Sequence, residues 1–246
     1  MKAIIPAAGY ASRLYPRTLN VPKSLLKING RPIIEHVVNK ISELSDINDI
    51  IIITNNKFYH TFFNWSLKFN CKKRLKVIND YTEKLEDRLG TIGDLNYALN
   101  KENITEDFLV INADNLFNFK LSASYSYFRD KDSNVISLYD VKDLETAKRL
   151  GSPKIDGLGK IINFIEKDPN VKSTLCSIGI YFFKKEIRNE IEDYLDNGNS
   201  PDKSGEFIKW LYQKKDVYGF IINHGVWFDI GTADSYRMAC DSYINI

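Results

Sequence analysis

The chain has 246 residues, 43% hydrophobic and 27% charged, which suffices for a well-buried core and makes disulfide or metal staples unnecessary. Lys and Arg number 34 against 32 Asp and Glu, a formal charge of +2, so a broad basic footprint for nucleic acid is excluded and any cationic site is local. Cys71, Cys176 and Cys240 are widely spaced with no CxxC pair, which excludes a disulfide framework or zinc ribbon and fits a reducing, cytoplasmic setting.

Lys2–Pro6 ("KAIIP") opens the chain as an apolar run, but Tyr10, Ser12 and Arg13 interrupt it too soon for a signal segment or a membrane span, so no membrane partner is expected. Asp49–Thr54, Leu75–Asn79, Phe108–Asn112 and Val135–Tyr139 are similar runs, mostly β-branched and apolar on both faces, as buried parallel strands are. Between them, Pro32–Glu43 carries Ile33, Ile34, Val37, Val38 and Ile41 at helical spacing, and Lys57–Phe69 and Gly93–Asn100 are further helices. Strand alternating with helix predicts an α/β fold, a doubly wound, mostly parallel Rossmann-like sheet. The second half changes texture: strands at Ile161–Glu166 and Thr174–Phe183, helices at Lys184–Leu195 and Gly205–Gln213, then strands at Val217–Ile222 and Val226–Asp229. This predicts a mixed α/β, substrate-binding half laid on the end of the same sheet. No linker-like composition, repeat or low-complexity tract marks a boundary, so one domain over 1–246 is expected, with halves at 1–140 and 141–246.

The segment "IIPAAGYASRLYPRTLNVPKSLL" (4–26) follows the first strand, at the carboxyl end where open parallel sheets bind ligands. Its small residues let backbone N–H groups approach an anion. With a lone Gly9 and no G-K-[ST], neither a dinucleotide fingerprint nor a Walker loop is present. What remains is a small-residue turn followed by Arg13, Arg17 and Lys23, with Pro16 and Pro22 expected to hold the segment extended. Three cations on such a strap suit a polyphosphate.

Gly9, Ser12, Arg13, Leu14, Pro16, Thr18, Pro22, Lys23 and Leu25 stand in register with G-x-G-[TS]-R-L-x-P-x-T-x-x-x-P-K-x-L. In this the chain resembles the sugar-1-phosphate nucleotidyltransferases, or NDP-sugar pyrophosphorylases, with Ala11 in place of the second glycine. The likeness continues in "LGTIGDL" (89–95), "INADNLF" (111–117), "FIEKDP" (164–169), "IGIYFF" (178–183) and "WFDIGTADSY" (227–236). It implies nucleotide contacts from Ala7, Ala8, Gly9, Tyr10, Ala11, Ser12, Gly90, Thr91 and Asn112, with backbone near Gly90 facing the base. It implies Asp114 and Asp229 as ligands of Mg²⁺, and Glu166, Lys167 and Ser177 at the sugar phosphate. Ala113 replaces a glycine, Asp168 intrudes before Pro169, and Ser177 stands where asparagine is common.

The chemistry asks for these residue types in its own right. Attack of a sugar phosphate oxygen on the α-phosphorus of a nucleoside triphosphate brings anions together and expels pyrophosphate, so positioning and charge neutralisation dominate and no protein nucleophile is needed. The planar fork of Arg13 suits the departing β- and γ-phosphates and Lys23 a point contact with the α-phosphate, which makes these two the catalytic candidates. Two carboxylates at strand ends suit Mg²⁺, a hard ion that takes one or two protein oxygens beside phosphate and water. Lys167 is expected to take the acceptor phosphate, and Glu166, pointing the other way from a regular pleat, the sugar hydroxyls. Each has a plainer rival. An isolated Asp-Asn after a strand is a common turn, and "EKD" alone is an ordinary solvated charge run. Thr232 is available as the cap of a helix running through Tyr243, which leaves Asp229 free. His36, His60 and His224 sit at no metal spacing, and "FYHTFFNW" (58–65) is expected to pack against the sheet.

The expected partners are thus a nucleoside triphosphate and a sugar 1-phosphate. The alternatives are a cytidylyltransferase for a non-sugar phosphate such as phosphocholine, and a non-catalytic nucleotide-sugar sensor or regulatory subunit. No glutamine precedes the Gly90 segment, so the base is open. The chain ends at Ile246 without the left-handed β-helix that some relatives append, and association into a homo-oligomer stays open.

Overall fold

In the computed structural model, which describes residues 1–243, the chain builds a sheet with helices on both faces. The first half contributes β1 (Lys2–Pro6), the small hairpin β2 (Lys27–Ile28) and β3 (Arg31–Pro32), α1 (Ile33–Ser42), β4 (Asp49–Thr54) and α2 (Asn56–Ser66). It continues with β5 (Arg74–Asn79), α3 (Gly90–Lys101), β6 (Phe108–Ile111), β7 (Asn115–Phe117), α4 (Ser122–Lys131) and β8 (Asn134–Asp140). The second supplies α5 (Leu144–Ala147), β9 (Gly151–Ile155), β10 (Ile161–Glu166), β11 (Leu175–Phe183), α6 (Ile187–Asp196), α7 (Ser204–Leu211), β12 (Val217–Ile222), β13 (Trp227–Asp229) and α8 (Ala233–Ser242).

The main sheet runs β10-β9-β11-β6-β1-β4-β5, with β8 on β11 and β12 on β8. Strands β6, β1, β4 and β5 run parallel to one another. The two-sided apolar runs of β1, β4 and β6 suit a sheet covered on both faces, whereas β5, expected to be buried in the same way, is an edge strand that exposes Arg74 and Lys76. Val135–Tyr139 reads like the other parallel runs but lies antiparallel to β11 and parallel to β12. Its burial comes from the sheet being continuous across both halves: β11, from the second, lies between β6 and β8 of the first.

One face packs Val37, Val38 and Ile41 of α1, Phe58 and Phe62 of α2 and Phe128 of α4 against Ile5, Ile52 and Phe182. The other packs Ile92 and Leu95 of α3, Ile187 of α6 and Phe207 of α7 against Ile4, Ile51 and Phe183. A third cluster joins Ile28, Ile33, Leu116, Ile230 and Ala239, seating α8 beside the β7–β13 ribbon. Among the described residues no helix is long and apolar enough to cross a membrane.

The strap after β1 departs from the extended form expected of its prolines. It folds into 3₁₀ turns at Ser12–Leu14 and Lys23–Leu25; the second is opened by Pro22, since the fixed φ of proline also suits the start of a turn. Leu19 N donates to Pro16 O at 3.1 Å and Leu25 N to Pro22 O at 2.9 Å, so the backbone is satisfied locally. The buried Thr18 hydroxyl donates to Ala11 O at 2.8 Å and ties the strap to the first turn.

Gly179 interrupts β11 at φ +70°, and a Cβ there would overlap the Asn112 amide, while its carbonyl accepts from Asn112 N at 3.0 Å. Gly179→Ala is expected to cost about 1–3 kcal/mol in urea unfolding, through the left-handed backbone and the overlap together. Adding Asn112→Ala restores part of that loss, and a double variant no better than the single one would show that the backbone alone carries the cost.

Candidate active site

Two clefts open where β1 and β6 end, the carboxyl edge of the parallel strands. The first, of about 290 Å³, is bordered by Pro6–Gly9, Ala11, Arg13, Lys23, Thr91, Asp94 and Asn112–Asp114. The second, of about 280 Å³, is bordered by Glu166, Lys167, Ser177, Tyr181, Lys203 and Asp229 among others. Arg13, Thr91, Asn112 and Asp114 border both, so the clefts meet at a junction of one cation, one carboxylate and two neutral polar side chains.

Strand β1 delivers the turn of the first cleft. Ala7 N donates to Ile53 O at 2.8 Å, and the buried Asn55 amide donates to Ala8 O at 2.7 Å, pinning the turn to β4. A Cβ added at Gly9 would meet nothing within 4 Å, so that backbone is open to an approaching anion. Ala11 sits in the left-handed region at φ +49°.

Of the residues expected at the nucleotide, Ala7, Ala8, Gly9, Ala11, Thr91 and Asn112 border the first cleft. Tyr10 is buried behind the turn, Ser12 is exposed beside it, and neither borders either cleft. Gly90 also lies away from both: it packs on Pro201, whose carbonyl accepts from Ile92 N at 2.8 Å. Arg17, expected with Arg13 and Lys23 on the strap, borders neither cleft, and its guanidinium lies 5.4 Å from the centre of the Tyr236 ring.

At the junction, Lys23 Nζ donates to Asp114 Oδ2 at 2.7 Å. Burial works against ionising Asp114, but the Lys23 ammonium outweighs it and holds the carboxyl below its ordinary value. Asp229 arrives on β13, which pairs antiparallel with β7 and sets it opposite Asn115, beside Asp114. Burial, then the charge of Asp114, push Asp229 up to about 6, against the pull of Lys23 and Arg13. Thr232 caps α8 in a capping box with Ser235, so Asp229 is not used as a cap. Asn115 is structural: its amide donates to Ile178 O at 2.7 Å and its carbonyl accepts from Trp227 Nε1 at 3.1 Å.

In the second cleft, Glu166 and Lys167 do not point apart. Lys167 has φ +50°, which breaks the pleat, and its Nζ lies 3.8 Å from Glu166 Oε1 in the same cleft. The Glu166 side chain is 6% exposed, and burial raises its pKa although Lys167 opposes the rise. It lies against α7 at Gly205, where any Cβ would overlap the carboxylate. Ser177 Oγ is buried without a partner, and Tyr181 donates to Ser204 Oγ at 3.2 Å. Sequence reasoning missed Arg149, Lys203 and Asp94 at these clefts. Only the basic pair Lys148-Arg149 ahead of Gly151 offered a signal.

Asp229 titrates near 6 in the folded chain and near 3.8 when unfolded. Its contribution to stability is fully present below pH 3.8 and is lost as pH rises through 6. In metal-free buffer, Asp229→Asn is therefore expected to be more stable than wild type at pH 8, by up to about 3 kcal/mol. The advantage should shrink toward zero as pH falls to 4, and urea unfolding at the two pH values measures it. An advantage that does not change with pH would contradict the electrostatic account.

A family model described as Nucleotidyl transferase matches residues 2–245. The chain is 32% identical over 233 residues to bifunctional protein GlmU of Methanococcus aeolicus, covering 94% of this chain and 51% of that protein. It is 28% identical over 252 residues to glucose-1-phosphate adenylyltransferase of Desulfitobacterium hafniense, covering 96% and 62%. It thus spans about half the length of the first of these curated relatives and somewhat more of the second. The fold is shared with UTP-bound UGPase from Acinetobacter baumannii, at a TM-score of 0.79 and 20% identity over 98% of this chain and 92% of that one. With its turn, its strap and both clefts inside the matched span, the chain belongs to the nucleotidyl transferase family.

Proposed function

We propose that the protein joins a nucleoside triphosphate to a sugar 1-phosphate, forming an NDP-sugar and releasing pyrophosphate. The observation that carries this reading is the meeting of two clefts at Arg13 and Asp114, one with an open small-residue turn and the other with a buried carboxylate beside an ammonium. Two substrates that react phosphate to phosphate need such a shared junction. The acceptor phosphate oxygen bonds to the α-phosphorus as the bond to the β-phosphate oxygen breaks, and the electron pair leaves with pyrophosphate. Arg13 receives the departing phosphates, and Lys23, already at the junction, stabilises charge gathering at the α-phosphate. Lys167 holds the acceptor phosphate, while Glu166 and the unpartnered Ser177 hydroxyl take sugar hydroxyls.

Asp114 and Asp229, adjacent and half-buried, form a hard-oxygen pair that fits Mg²⁺. When bound, the ion would neutralise phosphate charge. Among the described residues no group of three or more His, Cys, Asp or Glu is arranged for a metal, which suits an ion that takes its other ligands from phosphate and water. Residues 1–140 are assigned to the nucleotide and 141–246 to the acceptor. The free Cys71, Cys176 and Cys240 support a cytoplasmic setting.

Pyrophosphate release from a panel of triphosphates and sugar 1-phosphates tests the reading. Phosphocholine belongs in the panel because Phe164, Tyr181 and Trp227 also border the second cleft, and aromatic rings can hold a quaternary cation. Arg13→Ala and Lys23→Ala are each expected to lower kcat by about 10²–10³. Lys167→Ala raises KM for the sugar phosphate far more than for the triphosphate, and Asp114→Asn and Asp229→Asn raise the Mg²⁺ needed for half-maximal activity. Faster turnover of phosphocholine than of every sugar 1-phosphate, or an unaltered sugar-phosphate KM in Lys167→Ala, would overturn the assignment.

A further inference from the structure

Asp94 borders the first cleft from α3, yet it takes no part in the phosphate chemistry above. It is 5% exposed, and its Oδ1 is buried with no hydrogen-bonding partner among the described residues. Behind it lies Asp80, 7% exposed, whose Oδ1 accepts from Thr82 N at 2.7 Å and from Thr82 Oγ1 at 2.8 Å while its Oδ2 is unpartnered. The two carboxyls lie within hydrogen-bonding reach of each other, so one shared proton satisfies both orphaned oxygens. Burial, then the charge of Asp80, push Asp94 up to about 8, so Asp94 holds that proton at neutral pH. Donating it to Asp80 leaves the other Asp94 oxygen as an acceptor, backed by an ionised carboxylate.

The position of Asp94 assigns that acceptor. Phosphates belong with the open Gly9 turn and the cations Arg13 and Lys23, whereas Asp94 brings a further acid to the first cleft from α3, where it offers a phosphate nothing. The groups acting on it are Asp80 and Asp202, while Asp114 is acted on by Lys23 and Asp229, so the two acids lie in separate electrostatic neighbourhoods. A triphosphate whose phosphates lie at the junction extends its base into the remainder of the first cleft.

Resting on the nucleotidyl-transfer reading, we propose that Asp94, held by Asp80, selects a nucleobase bearing an exocyclic amino group. Guanine, adenine and cytosine each present an N–H donor to such an acceptor. Uracil and thymine present carbonyl oxygens on both sides of their single ring N–H, and those oxygens meet an acidic wall. A site built to pair with an exocyclic amino group rejects a base with a carbonyl oxygen in that place, because two acceptors then face each other and the buried group is left unpaired.

Binding of GTP, ATP, CTP, UTP and dTTP by calorimetry, without acceptor, tests this separately from turnover. Wild type is expected to bind at least one amino-bearing triphosphate about tenfold or more tighter than UTP and dTTP. Asp94→Ala removes the acceptor and brings the affinities together. Asp94→Asn keeps the preference, since its amide N–H replaces the shared proton toward Asp80 and its carbonyl still faces the base. A wild-type preference for UTP or dTTP, an Asp94→Ala ranking unchanged from wild type, or a reversed ranking in Asp94→Asn overturns the proposal. Selective binding without pyrophosphate release from any sugar 1-phosphate would remove the proposed reaction while the assignment of the base stands.

Discussion

The 2.7 Å bond between Lys23 and Asp114 is the contact on which the site depends. Asp114 and Asp229 are brought side by side by the β7–β13 ribbon, and without a nearby cation two half-buried carboxylates in contact resist ionising together. Lys23 supplies that cation from the far end of the strap. Its reach is set by turns that Thr18 ties back to Ala11 and by the packing of α1 and the β2–β3 hairpin that follow. The charge balance therefore links segments near residues 23, 114 and 229, which no local interaction would hold together.

The clefts concentrate groups that a stability-driven sequence would avoid. Asp80, Asp94, Glu166 and Asp229 are all raised above their ordinary range, with burial the leading cause in each. Ser177 Oγ and Asn112 Oδ1 are buried without partners. Each such group costs stability, since a buried polar atom without a partner forfeits its hydration. The offset comes from the two apolar layers, where side chains such as Ile52, Phe62 and Phe182 are fully buried. The rigid layers and the uncompensated cleft are two sides of one arrangement: donors and acceptors left open to a ligand are tolerated because strands fixed by packing carry them.

The parallel strands were legible because Lys2–Pro6, Asp49–Thr54 and Phe108–Ile111 are buried on both faces and must be apolar throughout. The two-residue strands β2 and β3 and the one-turn α5 are too short to read, and three further elements were hidden for definite reasons. β7 has three residues, too few for a period; α4 begins "SASYSYFRDK" with only Ser124 and Phe128 buried; β9 contains Pro153, which argues against a strand. The site was legible where the strap and acidic motifs are contiguous, and failed where backbone conformation decides. A regular pleat puts Glu166 and Lys167 on opposite sides, but the left-handed turn at Lys167 brings both into one cleft. Asp94 was invisible because its meaning depends on Asp80, brought beside it by the fold from the other side of the α3 entry segment.

The same dependence on backbone explains how the first turn accommodates Ala11. In the left-handed region an alanine Cβ crowds the following carbonyl, at a cost of about 1–2 kcal/mol, so its φ of +49° is held by its surroundings. The Ala11 carbonyl accepts from Leu14 N at 3.0 Å and from the Thr18 hydroxyl, and these two bonds hold the residue in that conformation. In the proposed reading, close approach of an anion falls to Gly9, where the space a side chain would fill is open. The turn thus divides between two residues what a second glycine would otherwise supply: Gly9 gives access, and Ala11 gives a change of direction fixed by hydrogen bonds to the strap that carries Arg13 and Lys23.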